Sequence, residues 1–160
     1  MTEKHKGYER DVSLGKRVDV NTNINPFGDV HPVMDMEGIG PAYNKELLSI
    51  GITNTEELWG ADAEKVANKT GAPLVSVKSW QAMSELAAIK DIGPQYSELL
   101  ERSGIHSIQQ LKESKPNAVL ELVREKQKSL DLNIQGNVPG HALVKNWIDQ
   151  ARKHKWHVSE

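Results

Sequence analysis

Two short turns carry the clearest chemical signal in this sequence. The first reads Gly38-Ile39-Gly40-Pro41, and the second reads Asp91-Ile92-Gly93-Pro94. In each, the proline is expected in the first turn of a helix, where the N–H that it lacks would have no partner within the helix. Because the N–H groups at a helix start lack intrahelical partners and the helix dipole is positive there, such a turn attracts anions. We therefore predict that each turn is a candidate phosphate-binding site.

The candidate contact residues form one set at each turn and a basic tail. Gly38 and Gly40 are expected to let the first turn close without a Cβ clash, and Ile39 is expected to point inward and anchor the turn. Basic residues near the end of the chain would add phosphate contacts, although the same charges could serve only to stabilise a helix end. The first set is Gly38, Ile39, Gly40, Ala42 and Lys45, the second is Lys90, Gly93 and Gln95, and the tail supplies Arg152, Lys153 and Lys155.

Acidic neighbours predict that phosphate binding at either turn is weak. Asp91 replaces Gly38 at the second turn and places a negative charge there, which Lys90 offsets in part. Asp35 and Glu37 flank the first turn. Proteins that hold DNA by its backbone gain much of their affinity by neutralising phosphates with lysine and arginine. The alternative is that both turns only connect two helices.

Both turns lie within an internal duplication. The 22-residue pattern at 37–58 recurs 53 positions later, with glycines, proline and apolar residues in register. Apolar residues after each proline recur at helical spacing, and Gly51 and Gly104 stand where a helix carboxyl cap is expected. Asn54 and Ser107 are then expected to cap a second short helix in each copy. The repeat indicates two tandem modules.

The later part of the repeat predicts longer helices and one insertion. Pro73 is expected to open a helix that carries Trp80. Trp147 matches Trp80 at a spacing of 67 rather than 53 residues, so the second copy contains about 14 additional residues. These are expected to lengthen a helix that runs from Pro116 to about Leu130 and to add a loop over 133–140. Both tryptophans are expected to be core anchors rather than site residues.

The predicted fold class is all-α, because no segment shows the alternation of a strand. We expect two tandem modules of four to five short helices each, packed together because each is too small to bury much core alone. The predicted boundaries are an irregular arm at 1–31, a first module at 32–88, a second module at 89–156 with an insertion near 125–140, and a tail at 157–160.

A resemblance adds to this interpretation. The segment EGIGPAYNKELLSIGI at 37–52 resembles a helix-hairpin-helix motif, and residues 33–154 are similar to a bacterial family built of two such modules. The resemblance implies a SAM-like helical fold whose hairpins hold a nucleic-acid backbone without reading bases. In the wider motif class it also implies hairpin carbonyls that can hold a monovalent cation, and related domains that serve protein partners in transcription.

The net charge is −2, and the two copies differ in their charge. Residues 32–86 carry four basic and eight acidic side chains, whereas residues 87–160 carry eleven and nine. The first copy is therefore acidic and the second mildly basic, so the two copies need not bind the same partner. The absence of cysteine excludes disulfides, thiol catalysis and zinc ligated by cysteine.

Several other classes of function lack their sequence signals. No apolar run could span a bilayer and the first residues are too polar for a secretory signal, so we expect a cytoplasmic protein without membrane contact. No phosphate-binding loop, metalloprotease motif or nucleophile motif occurs, so we predict no enzymatic activity and no cofactor. His154 and His157 lack a convergent carboxylate, and we predict no metal site there.

Two functions remain as hypotheses. The leading one is weak binding of a DNA or RNA backbone, without sequence preference, through the turns and the basic tail. The alternative is a protein-interaction scaffold of the same fold, which the acidic first copy favours.

Overall fold

The computed structural model describes residues 27–130 and 139–154. Within these residues the regular structure is helical throughout, which confirms the predicted all-α class. A 3-10 turn at Val33–Asp35 precedes the α-helices. The helices are α1 (Pro41–Ser49), α2 (Thr55–Trp59), α3 (Ala63–Thr70), α4 (Leu74–Ala87), α5 (Gly93–Arg102), α6 (Ile108–Lys112), α7 (Pro116–Leu130) and α8 (His141–Lys153). Of the helices described, none is both long and apolar enough to cross a bilayer.

The second four helices repeat the order of the first four. Helices α3 and α7 begin at Ala63 and Pro116, which are 53 positions apart, whereas α4 and α8 begin at Leu74 and His141, which are 67 apart. The change of spacing therefore falls between α7 and α8. As predicted, part of the insertion lengthens a helix, since α7 has 15 residues and α3 has eight. Most of the predicted loop over 133–140 lies outside the described residues.

Side-chain caps set the starts of α2 and α6, as the sequence predicts. Asn54 Oδ1 accepts the Glu57 N–H at 2.9 Å, and Ser107 Oγ accepts the Gln110 N–H at 3.0 Å. The returning bond is shifted by one residue from the usual capping box, because Glu57 Oε1 accepts the N–H of Thr53 at 2.7 Å. Local chemistry thus starts these helices in the same way in both copies.

Removing either cap is expected to destabilise the protein by about 1 kcal/mol, because an N–H group of the first turn loses its acceptor. The changes are Asn54→Ala and Ser107→Ala, and urea denaturation followed by circular dichroism measures the free energy of unfolding. Ser114→Ala is the control, since Ser114 Oγ donates to the Gln110 carbonyl at the other end of a helix and caps no N–H group. Equal stability of the cap variants and the wild type would contradict the assignment.

Two clusters of apolar side chains form the core, one in each half of the chain. Trp80 belongs to the first cluster with 3% of its surface exposed, and Trp147 belongs to the second with 0%. The expectation that both are core anchors is confirmed. The second cluster also takes Trp59 from the first half, and the ring of Phe27 packs on Trp59 at a centroid distance of 5.4 Å. The two halves therefore share core residues.

The end of the predicted arm packs on the helices. Phe27 is fully buried, and the Asp29 N–H donates to the Ala88 carbonyl at 2.9 Å. The backbone of His31 exchanges two bonds with Thr55, one to its Oγ1 at 3.0 Å and one from its N–H at 2.8 Å. The first described residues of the chain, predicted as irregular, are thus fixed in place before the first helix begins.

One buried carboxylate joins the two halves. Glu85 lies on α4 with 9% of its surface exposed. Its Oε1 accepts the indole N–H of Trp59 at 3.2 Å, and its Oε2 accepts the N–H of Ile108 at 2.7 Å. Because Ile108 is the first residue of α6, the carboxylate also satisfies a helix-start N–H of the second half.

Candidate nucleic-acid interface

The first turn needs a glycine at one position only. Gly38 has φ of +93°, and a Cβ there would lie 3.2 Å from Trp80 Nε1. Gly40 is extended, with φ of −89° and ψ of −173°, and a Cβ there would meet nothing within 4 Å. The expectation that both glycines keep the turn free of clashes therefore holds for Gly38 and not for Gly40.

The second turn has a different backbone in spite of its similar sequence. Asp91 stands where Gly38 stands in the first copy. A residue with a Cβ is unfavourable at positive φ, and here the positive φ occurs two residues later, at Gly93, with a value of +63°. The N–H of Gly93 donates to the Ile89 carbonyl at 3.3 Å, so it is not available to a ligand. The two turns are not geometrically equivalent sites.

A tyrosine and tryptophan pair supports each turn. Tyr43 packs on Trp80 and Tyr96 packs on Trp147, both with ring centroids 5.1 Å apart. In the second copy the indole N–H of Trp147 donates to the Asp91 carbonyl at 3.2 Å. These aromatic pairs hold each turn against the last helix of its own half.

Four of the five residues in the first predicted contact set are exposed, and the prediction is wrong for Ile39 as a contact residue. Ile39 is 4% exposed, and its N–H donates to the Met36 carbonyl at 3.2 Å, so neither group can reach a phosphate. Its predicted role as the anchor of the turn is consistent with this burial. Helix α1 starts without a side-chain cap, which leaves its first N–H groups to an external acceptor. The exposed members of the set are Gly38, Gly40, Ala42 and Lys45.

In the second set, Lys90 and Gln95 are exposed, and α5 also starts without a side-chain cap. The Asp91 carboxylate does not cap α5. Its Oδ2 instead accepts the side-chain amides of Asn146 and Gln150, both at 2.6 Å. The acid that the sequence places beside the phosphate site is therefore held by α8.

The residues of the basic tail have different environments. Arg152 Nε donates to the Lys112 carbonyl at 3.1 Å, and Lys112 is the last residue of α6. This contact fits the interpretation in which a tail charge stabilises a helix end. Lys155 lies outside the described residues, as does His157 of the excluded histidine pair.

Lys153 lies close to the second turn along α8. It is exposed and follows Gln150 by three positions and Asn146 by seven, which places all three on one face of the helix. Because Asn146 and Gln150 both bind Asp91, this face borders the second turn. Lys153 therefore lies one helical turn beyond Gln150 on this face, and Lys90 directly precedes the second turn.

Two kinds of ion site concern these turns: a monovalent cation held by turn carbonyls, and a metal ion held by side chains. In the second turn the Asp91 carbonyl already accepts the Trp147 indole, so a monovalent cation held by turn carbonyls stays a prediction. In the two described stretches, no three histidine, aspartate or glutamate side chains come together to hold a metal ion.

An acidic cleft lies beside the first turn, between α4 and α5. Its volume is about 410 Å³. Trp80 and Met83 are among its apolar lining residues, and Glu37, Glu98 and Glu101 contribute three carboxylates against the single guanidinium of Arg102. Arg102 lies 3.6 Å from Glu98, and His106 Nδ1 lies 3.5 Å from Glu101. The cleft therefore carries excess negative charge at the first candidate phosphate site.

The electrostatics of Glu98 reflect this excess. Burial raises the pKa of Glu98 above its ordinary value, the negative charge of Glu37 raises it further, and Arg102 opposes the shift. The side chain is 16% exposed, so water screens these interactions only in part. An ionised Glu98 is thus held in an environment that disfavours its charge.

We expect the stability contributed by Glu98 to be complete below the ordinary glutamate pKa of 4.5 and to be lost as pH rises through its raised pKa. Glu98→Gln removes this titration. The variant should therefore gain stability relative to the wild type as pH increases from about 4 to about 7. Urea denaturation of both proteins across this range measures the difference, and a constant difference would contradict the prediction.

Neither the cleft nor the bonds that hold Asp91 are predicted from the sequence. The differences between the two copies could have indicated both the cleft and the bonds to Asp91. Positions equivalent to Asp91, Asn146 and Gln150 in the second copy are Gly38, Ser79 and Met83 in the first, and all three of these line the cleft. Side chains that bridge the turn to α8 in one copy are thus replaced by shorter or apolar ones in the other.

Comparison with known proteins places this arrangement in a family. Residues 37–154 match a domain of unknown function, DUF4332. The chain belongs to the DUF4332 family. The DUF4332 match begins at Glu37 and includes both turns, the cleft carboxylates and α8, whereas Phe27 and the rest of the arm precede it. The searches of curated proteins and of solved structures found no match.

Proposed function

We propose that this protein is a non-enzymatic binder of nucleic-acid backbone, and that the second turn is its principal contact. The observation that carries the proposal is the uncapped start of α5 beside the exposed Lys90, with the Asp91 carboxylate held by Asn146 and Gln150. Gly93 already donates its N–H to the Ile89 carbonyl and Pro94 has none, so a phosphate can receive the N–H of Gln95, in the first turn of α5, together with a lysine charge.

The helices around the second turn support a helix-hairpin-helix arrangement. The turn joins two full helices, α4 and α5, which pack against each other. Only the 3-10 turn at Val33–Asp35 precedes the first turn, and the acidic cleft adjoins it. Phosphate is repelled by the three cleft carboxylates, so we propose a minor role for Gly40, Ala42 and Lys45.

Lys153 extends the proposed contact along α8. A backbone that follows the edge from the second turn toward the end of α8 would meet Lys90, Gln95 and Lys153, all of which are exposed. Contacts of this kind position a nucleic acid without reading its bases. The expected affinity is in the range of nonspecific binding, roughly 10⁻⁴ to 10⁻⁶ M at physiological salt.

Charge reversal at Lys90 and Lys153 should weaken nucleic-acid binding and reduce its dependence on salt. For the double variant Lys90→Glu/Lys153→Glu, we expect at least about a tenfold loss of affinity and a decrease of about 2 in the salt slope, because two phosphate contacts are lost. Fluorescence anisotropy with a labelled duplex of about 20 base pairs, and with single-stranded DNA and RNA of the same length, measures both quantities between about 50 and 200 mM salt.

The matched control is Lys65→Glu/Lys69→Glu, which makes the same change of net charge on α3, where both lysines are exposed. This control should lose little affinity beyond the general effect of charge. The proposal is wrong if the wild type does not bind any of the three nucleic acids at about 50 mM salt, or if both double variants lose affinity equally.

A protein-interaction scaffold is the second candidate, and the acidic cleft is the specific observation that favours it. Excess carboxylate at the first turn suits a basic protein partner and opposes a phosphate. The two functions use different residues, since the cleft lies at the first turn and the proposed phosphate contacts lie at the second.

A further inference from the structure

The acidic cleft lies between the first turn and α4. At the equivalent place in the second half, side chains join the second turn to α8. In the second half, Asp91 is bridged to α8 by Asn146 and Gln150 at 2.6 Å. In the first half, Gly38 and Met83 provide no such hydrogen-bonding side chains, and a cleft of about 410 Å³ remains. Pockets of roughly 300 to 1,000 Å³ are typical of specific ligand sites.

The charges of the cleft favour a cationic occupant. Glu37, Glu98 and Glu101 contribute three negative charges, and Arg102 contributes one positive charge. Glu98 is partly neutralised by Arg102 at 3.6 Å, but Glu37 acts on Glu98 as a like charge. A cation placed between Glu37 and Glu98 would relieve that repulsion.

The apolar parts of the cleft favour a cation carried on an aliphatic stem, as in a lysine or arginine side chain. Trp80 and Met83 line the interior, where the methylene groups of a lysine or arginine side chain could pack. Val75 lines the cleft as well and is 75% exposed, more than any other large apolar side chain in the described ranges. An exposed valine at the rim offers contact to residues that flank the inserted side chain.

We propose that the cleft between the first turn, α4 and α5 binds a lysine or arginine side chain of a protein partner, with the cationic group between Glu37 and Glu98. The stem lies along Trp80 and Met83, and an apolar residue next to the basic one contacts Val75. This site is separate from the phosphate contacts at Lys90 and Lys153, and it goes beyond the proposed nucleic-acid function.

A peptide titration of the full chain tests the proposal. The probes are a blocked pentapeptide, Ala-Leu-Arg-Leu-Ala, and the same peptide with citrulline in place of arginine, which keeps the shape and removes the charge. Two-dimensional ¹⁵N NMR follows the indole N–H of Trp80 and the backbone amides of Glu98 and Glu101. We expect the arginine peptide to shift these signals saturably and the citrulline peptide to bind at least about tenfold more weakly.

Three protein variants locate the site. Glu37→Gln/Glu98→Gln should weaken the arginine peptide by at least about tenfold, because both carboxylates that face the cation are lost. Ser79→Asn/Met83→Gln, which copies the side chains of the second half, should also weaken binding, because the asparagine fills part of the cleft and the glutamine replaces an apolar lining residue. Glu46→Gln/Glu64→Gln makes the same charge change at exposed positions on α1 and α3 and should bind like the wild type.

The results distinguish a basic protein side chain in the cleft from a free cation and from no ligand. Saturable, charge-dependent binding that only the cleft variants weaken supports the proposal. No shift at about 5 mM peptide, equal binding of the citrulline peptide, or equal loss in the Glu46→Gln/Glu64→Gln control would overturn it. Spermidine that binds the cleft as tightly as the arginine peptide would also overturn it, because the site would then accept a free cation without the Val75 contact. Loss of nucleic-acid binding in the Lys90 variant bears on the proposed function alone.

Discussion

Glu85→Ala is expected to lower the free energy of unfolding by about 3 kcal/mol or more, because two buried donors lose their acceptor. The carboxylate accepts the Trp59 indole at 3.2 Å and the Ile108 N–H at 2.7 Å, with 9% of the residue exposed. Alanine also leaves space inside the core. For a chain of this length, the melting temperature should fall by roughly 6 to 12 °C, measured by calorimetry.

Two further variants serve as controls for Glu85→Ala. Glu85→Gln keeps one carbonyl oxygen as an acceptor but turns an NH₂ group toward the other donor, so an intermediate loss is expected. Glu46→Ala removes an exposed glutamate of α1 and should change stability by less than about 0.5 kcal/mol. If Glu85→Ala melts with the wild type, the Glu85 carboxylate does not contribute to the junction of the two halves.

Gly28→Ala is expected to destabilise the protein by roughly 2 to 4 kcal/mol, through backbone strain and a steric clash. Gly28 has φ of +107°, and a Cβ there would lie 2.4 Å from the Ala88 carbonyl oxygen. That oxygen accepts the Asp29 N–H at 2.9 Å, so the segment cannot move away without losing this bond. Urea denaturation measures the loss of stability.

Gly71→Ala is the matched control for this substitution. Gly71 has a similar φ of +82°, and a Cβ there would meet nothing within 4 Å. It should therefore show only the cost of a left-handed alanine, about 1 to 2 kcal/mol. Equal losses in the two variants would show that the contact between Gly28 and Ala88 has no steric role.

Both predictions concern the end of α4, where the two halves join. Glu85 lies in its last turn, and Ala88 follows the helix directly. The second turn begins three residues after Ala88, at Asp91, and Lys90 directly precedes it. Residues that hold this junction therefore also fix the position of the proposed phosphate contact. A variant that loosens the junction is expected to weaken nucleic-acid binding only after it has reduced stability.

Local sequence chemistry predicted the helices well. The caps at Asn54 and Ser107 are made by the side chains that the sequence indicated, and the predicted helix from Pro116 to about residue 130 is confirmed. Caps and helix ends depend on residues within three or four positions, which a single sequence contains. The predicted class and the register of the duplication follow from the same local information.

The candidate site was predicted less completely, because its properties depend on residues distant in the chain. The sequence showed Asp91 as a charge next to the second turn, but Asn146 and Gln150, which bind it, lie 55 and 59 residues away. Ile39 was correctly expected to anchor the first turn. Its inclusion among the contact residues failed because the Met36 carbonyl already accepts its N–H.

The sequence by itself determined that the chain is helical, duplicated and charged differently in its two halves. These properties follow from short-range spacing and composition. Only the tertiary structure decided that two turns of similar sequence differ in backbone, and that Glu98 and Glu101 of the second half join Glu37 of the first in one acidic cleft. The physical reason is that a helix start or a cap is set by neighbouring residues, whereas a cleft and its field are set by side chains that packing brings together from both halves.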